Sequence, residues 1–358
     1  MFSTDPTYPL YPIFAFLGFI LSLVPLPWHL QAWNAGTCAY MIWASVACLI
    51  GFVNALVWKD NVNNVAPVWC DISSKLLLGV GIGIPASSLC ISRRLYKITA
   101  IQTVSVSRQD KIRAIVGDVC IAVGVPVLVM ILHIVVQGHR FDIMENIGCY
   151  PTIYNTLPAY FLVFMWPVAL GCVSFVYSAM TLRAFWKRRL QFTQFISSNT
   201  SMNISRYLRL ILLACIEMLC TIPLGIYSMY IANQDVELSP YISWANVHFD
   251  FGRIGLFPAL VWRSDPSFQI SAELTRWLYP FCALLFFALF GFAGEAQKNY
   301  SIAFWAVAKR FGFNPPASKG IASSGKQRCV PYEYPHLVSH ADLPLQLESD
   351  SKRRLSTL

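Results

Sequence analysis

The chain has 358 residues; 56% are apolar, only 13% are charged, and the net charge is +9. A soluble domain carries about 25% charged residues, so the composition excludes a disordered chain and argues against a soluble enzyme. The basic residues fall in clusters between or after apolar runs, not on one solvent-facing domain, which leaves an integral membrane protein with no nucleic-acid partner.

Seven apolar runs are long enough to cross a bilayer, at about 9–28, 35–57, 68–92, 112–136, 158–182, 207–232 and 272–294. None alternates apolar and polar residues as a membrane strand does. Helices follow, because in hydrocarbon each segment has to satisfy its own backbone hydrogen bonds. The third run opens at Trp69-Cys70, carries Gly79, Gly81, Gly83 and Pro85, and closes at Ser92-Arg93-Arg94. Gly79 and Gly83 form a small-xxx-small pair, read as close packing with a signalling hinge as the alternative. Asp118, near the end of the fourth run that follows the basic loop, is expected to reach the membrane interface. The sixth run holds Glu217 near mid-depth and Pro223 two turns later. Trp28, Trp58, Trp69, Trp166, Trp244 and Trp277 read mostly as interfacial belt residues.

The stretch 233–271 is semi-apolar and broken by Gly and Pro. It reads as an extracellular cap or a re-entrant piece; a failed eighth span would reverse the C-terminus. Residues 297–312 read as a short amphipathic helix along the inner membrane face. The expected organisation is an all-α seven-transmembrane bundle over 1–296, that surface helix, and a mobile cytosolic tail over 313–358.

Orientation comes from Lys and Arg. They crowd the loop after the third run, the loop after the fifth and the tail, whereas the opposite side has only Lys59, Arg140, Arg253 and Arg263. The positive-inside rule puts the N-terminus outside and the C-terminus in the cytosol. Cys70 and Cys149 then both face the oxidising side, where a disulfide is permitted; two unrelated thiols are the alternative. Asp71 and Lys75 are four residues apart and share a helix face, so they read as a local ion pair or as polar ligand recognition at the mouth. Glu217 reads as a polar lock between two packings or as a protonated structural residue, with Pro223 as a hinge. No zinc cluster, phosphate loop or nucleophile elbow appears, and no cofactor or catalysis is implied.

The third run ends in CISRRLYKI, not in the acidic-Arg-aromatic triplet of rhodopsin-like receptors. The strings PLPWHLQAWNAGTCAYMIW, VNALVWKDN, APVWCDISSKL, PASSLCISRRLYKI, VVQGHRFDIMENIGCYPTIYNT, SRYLRLI, PLGIY and FGFAGEAQKNY stand in order at the span edges. They resemble the fungal mating-pheromone receptors for prenylated peptides, the a-factor receptor type of class D G-protein-coupled receptors, over most of 10–305. The resemblance implies a multi-pass plasma-membrane receptor that binds a secreted farnesylated peptide and activates a heterotrimeric G protein and a mating MAP-kinase pathway. It also implies a homodimer among membrane lipids. Arg93, Arg94, Arg206 and Arg209 would face the G protein, and Tyr154, Tyr160, Phe161, Tyr227, Tyr230 and Trp277, chosen by depth, would line the ligand site beside Asp71 and Lys75. The alternative from another class is a seven-span transporter or channel.

Overall fold

The computed structural model describes residues 5–100, 108–198, 204–233 and 237–292, with 296–297, 300–301 and 310 beyond them. Residues Met1–Val307 make one compact unit; the second unit, Ala308–Leu358, lies outside the described residues apart from Arg310. The expected surface helix at 297–312 falls largely outside them, and the tail 313–358 does so entirely.

All seven expected helices are present. Helix α1 runs Leu10–Gln31 with a turn at Val24-Pro25, followed by α2 (Ala35–Val57) and α3 (Pro67–Ala100). Helix α4 spans Arg108–Val136 through a π-helical turn at Cys120–Gly124. Helix α5 starts at Leu157, passes a second π-helical turn at Tyr160–Phe164 and continues as Met165–Ser198. Helices α6 (Ile204–Asn233) and α7 (Pro266–Phe290) complete the set. Six of them are apolar enough to cross a bilayer on the described residues. The seventh, α6, has 30 residues, a length of about 45 Å at 1.5 Å per residue.

Neighbouring helices pack in ring order and α7 closes back on α1, while α3 touches α2, α4, α5 and α6. The central position of α3 follows from its residues. Gly79, Gly83, Ser87, Ser88 and Ser92 line it with small side chains, and neighbours approach closely. Ser92 shares hydrogen bonds of 3.0 Å with Ser174 and Ser178 of α5. Many large apolar side chains point away from this core, such as Ile131 (62% exposed) and Phe175 (57% exposed). That pattern suits a solvent of hydrocarbon.

Trp43 ties three helices together. A π-helical turn leaves a carbonyl without a partner in its own helix; the Trp43 indole N–H donates to the Ala122 carbonyl inside that turn at 2.8 Å. The ring has room because of the glycines. A Cβ on Gly83 would stand 2.4 Å from the Trp43 ring, and one on Gly79 would stand 2.5 Å from the Met130 sulfur. The small-residue pair therefore packs against side chains of α2 and α4, which favours the packing reading.

Several ends differ from expectation. Helix α3 runs past 92 to Ala100, and α5 runs past 182 to Ser198. The polar residues there end the membrane span without ending the helix. Helix α7 starts at Pro266, before the expected 272, because Asp265 caps it by accepting from the Ser267 and Phe268 amides at 2.9 and 3.3 Å. Asp-Pro-Ser is a readable start signal.

Between α6 and α7 the chain makes two short helical turns, Trp244–Val247 and Ala259–Trp262, around a strand β3 (Ile254–Phe257). Among its described residues no helix is long enough to cross a bilayer. Strand β3 pairs parallel to β1 (Phe141–Met144), which pairs antiparallel with β2 (Gly148–Tyr150). The stretch thus belongs to a small sheet of order β2-β1-β3.

Adding a methyl or larger group at Gly83 should cost roughly 1–3 kcal/mol through overpacking against Trp43. Gly81→Ala, which meets nothing within 4 Å, should leave stability equal or slightly higher. Thermal midpoints of the purified variants in detergent check this contrast. Equal losses at both positions would contradict it.

Candidate functional site

The bundle has two unlike ends. At one, the α4–α5 connection folds back over the helices as the β1–β2 hairpin. Cys149 of β2 is bonded to Cys70 in the first turn of α3, with Cα atoms 5.1 Å apart. The expected disulfide is therefore present. A buried cluster of Trp58, Phe141 and Ile143 surrounds it. Trp58 is thus a core residue and not a belt residue, since its N–H donates to the Asn63 carbonyl at 2.9 Å and its ring packs at the disulfide. Trp69 likewise donates to Asn54, at 2.8 Å.

The hairpin tip is fastened from both sides. The Asn146 amide donates to the Trp58 carbonyl, and its side-chain oxygen accepts from the Asp60 amide, each at 2.9 Å. Gly148 has φ +89°, and a Cβ there would sit 2.5 Å from Asn54; only glycine fits both constraints. Glu145 accepts from the Ala259 amide at 2.7 Å, and the Trp262 indole donates to its carbonyl at 3.2 Å. The hairpin so anchors the α6–α7 connection as well.

Charged residues concentrate beneath this cap. Asp71 does not pair with Lys75, contrary to the ion-pair reading. Its carboxylate is gripped by both arms of Arg140, at 2.7 and 2.5 Å, and this contact holds the Arg140 pKa above its ordinary value. Lys75 turns instead toward α4, donating to Nδ1 of His133 and Oε1 of Gln137, each at 2.6 Å. Helical spacing makes residues i and i+4 neighbours but does not choose between local and distant partners. On β1, burial pushes the Asp142 carboxyl above its usual range, while His139 at 2.6 Å and Arg253 pull it back.

The N-terminal segment joins the same end. Asp5 accepts from Arg276 at 2.8 Å, and the Arg276 guanidinium lies 3.8 Å from the Tyr11 ring centroid. Burial works to raise the Asp5 carboxyl, but Arg276 and Thr7 outweigh it and hold the group below its ordinary value. The Tyr11 ring meets Trp277 edge-on. Below, an apolar cavity of about 430 Å³ opens between α1, α6 and α7, with Phe14, Leu224, Trp277 and Phe281 on its wall.

Of the expected ligand residues, Trp277 borders this cavity, and Tyr160 donates to Asn155 at 3.2 Å beside the hairpin's return. Tyr154 bonds through its amide to the Val136 carbonyl at 2.7 Å, and Tyr227 is half-buried in α6. Phe161 and Tyr230, 60% and 66% exposed, lie on the surface. The structure does not gather the eight into one pocket.

At the opposite end Arg93, Arg94 and Arg209 make contacts within the bundle. Arg93 of α3 pairs at 2.5 Å with Asp118 of α4, which is buried. Asp118 does not reach the interface as expected, because Arg93 neutralises it in place. Arg94 donates to the Trp33 carbonyl at 2.7 Å. The Arg209 guanidinium stands 5.8 Å from the Phe290 ring centroid. Arg206 is helical with its side chain outside the described residues, as is that of Glu217; Pro223 is exposed within α6.

Comparison with known proteins adds a family. A pheromone A receptor family model matches residues 10–312. The chain is 52% identical to the pheromone B alpha 2 receptor of Schizophyllum commune, over 90% of this chain and 51% of that protein. It is 35% identical to pheromone receptor 1 of Mycosarcoma maydis, over 81% and 82% of the two chains. It is 26% identical to the pheromone a factor receptor of Saccharomyces cerevisiae, over 95% and 71%. The chain spans about half the length of the Schizophyllum relatives it matches.

The Asp5–Arg276 tie fixes a pH dependence. A carboxyl whose pKa is lowered on folding stabilises the fold above its unfolded pKa, near 3.9, and loses that contribution as pH falls through the folded value. Asp5→Asn should therefore lower the thermal midpoint at pH 7, and the gap to wild type should close as pH drops below about 4. A gap that persists at low pH would assign the effect to something other than charge.

Proposed function

The chain belongs to the pheromone A receptor family, and from that membership we propose that it is a G-protein-coupled receptor for a secreted, farnesylated peptide pheromone at the plasma membrane. The family match across all seven helices carries the reading. It also sets aside the transporter or channel alternative.

In this reading the disulfide end faces outward and the basic end faces the cytosol, in line with the positive-inside rule. The peptide meets the cap and the charged groups beneath it, Asp71 and Lys75 among them. Its prenyl chain lies against apolar side chains, for which the cavity beside Trp277 has a volume within the usual range of ligand sites. Tyr154, Tyr160, Phe161, Tyr227 and Tyr230 are the remaining ligand candidates.

Arg93, Arg94, Arg206 and Arg209 serve the G protein. Arg93 and Arg94 hold partners within the bundle, so carboxylates of a G protein compete for them in the activated state. Pro223 has no N–H to complete the helix ladder and serves as the hinge by which α6 swings, with Glu217 six residues before it as the polar lock. Agonist binding works by favouring the swung state, which requires contacts that differ between the two states.

A mating-pathway reporter strain expressing this chain should respond to at least one member of a panel of farnesylated peptides. Silence across the panel together with solute flux in vesicles would overturn the receptor reading. Reversing charge at Arg206 and Arg209 together should abolish coupling while surface delivery and ligand binding persist. Loss of binding in that variant would make the two residues structural.

A further inference from the structure

Lys75 carries an ammonium that no carboxylate among the described residues neutralises. It lies five residues into α3 from Cys70, about 7.5 Å down the helix from the disulfide. Its two contacts, His133 Nδ1 and Gln137 Oε1, are neutral acceptors. His133 uses its other ring nitrogen toward the Thr152 carbonyl at 2.9 Å, which leaves Nδ1 to accept from lysine. Gln137 donates through its amide nitrogen to the Arg140 carbonyl at 2.8 Å, which aims its oxygen at the ammonium. Thr152 in turn donates to the His139 carbonyl. Both acceptors are therefore locked in place, and both are buried.

The nearest carboxylate in sequence, Asp71, is withheld from Lys75 by the two-armed contact to Arg140. Among the described residues no carboxylate pairs with Lys75. An ionisable group within a membrane-spanning helix is costly, and a counter-charge is what relieves that cost. An ammonium has three donors; among the described residues two are used, which leaves one N–H for a further acceptor. The side chain is half-buried, so the site is open to an approaching group.

We propose that Lys75, held by His133 and Gln137, is the docking point for a carboxylate of the ligand. Asp71 and Arg140 form its wall and do not themselves contact the ligand's charge. This rests on the reading of the chain as a peptide receptor and gives that ligand a required chemistry, an acidic group.

The test uses a panel of farnesylated peptides made in matched pairs, each Asp or Glu paired with its Asn or Gln isostere and the C-terminus kept constant. Response is read in the reporter strain with surface delivery measured in parallel. On the wild-type chain, the acidic member of an active pair should be at least about tenfold more potent. The preference should vanish in Lys75→Gln, persist in Lys75→Arg, and invert in Lys75→Glu toward a peptide carrying Lys at the same position. If Lys75→Gln fails to reach the surface, Lys75→Arg and Lys75→Glu decide the matter by the same preference. Equal potency of acid and amide members on the wild-type chain overturns the inference and leaves the receptor reading standing. So does an acid preference that survives Lys75→Gln. A weaker response to acid and amide alike in Lys75→Gln overturns it in favour of a lipid phosphate on Lys75. A chain silent to the whole panel overturns the receptor reading and this inference together.

Discussion

Hydrocarbon offers no hydrogen bonds, and the placement of polar groups in this fold follows from that. A polar side chain inside the bundle has to find its partner on another helix or on a backbone carbonyl. Trp43 finds Ala122, Ser92 finds Ser174 and Ser178, His133 finds Thr152, and Arg93 finds Asp118. Each neutral tie contributes about 0.5–1.5 kcal/mol net, and together they fix which helix faces sit inward. The apolar residues are then free to point outward, as Ile131 and Phe175 do.

The same constraint makes the two ends unlike. At the disulfide end the chain builds a cap whose parts come from the N-terminal segment and three connections, those between α2 and α3, α4 and α5, and α6 and α7. The disulfide, the Asn146 bonds, the Glu145 bonds and the Asp5–Arg276 tie join them. A rigid cap holds the charged groups beneath it at set positions, which is what a specific binding site needs. At the other end the described contacts include the Arg93–Asp118 ion pair and the bond from Arg94 to the Trp33 carbonyl, which outside carboxylates can replace. Under the proposed receptor reading, fixed recognition at one end and exchangeable contacts at the other are the physical division that signalling across a membrane requires.

The helices were legible in the sequence because a run of about 20 apolar residues has few other uses. The disulfide was legible because the charge asymmetry placed Cys70 and Cys149 on one side. Four things were hidden, each for a physical reason. Helix ends at Ala100 and Ser198 lie beyond the membrane, where polarity no longer marks the boundary. The sheet joins strands of three or four residues from segments more than 100 positions apart, too short to show a period. Partner choice was hidden as well: spacing put Asp71 beside Lys75 and Asp118 near an interface, but Arg140 and Arg93 claimed those carboxylates. Glycine spacing in α3 announced a close approach without revealing that a tryptophan ring fills it.

The roles proposed for the two ends depend on which one faces out. An epitope inserted after Pro240, in the α6–α7 connection, and one inserted between residues 103 and 104, in the α3–α4 connection, decide this in intact cells. Antibody is expected to stain the first without permeabilisation and the second only after it. The reverse pattern, with the 103–104 epitope stained in intact cells and the Pro240 epitope hidden, would contradict it.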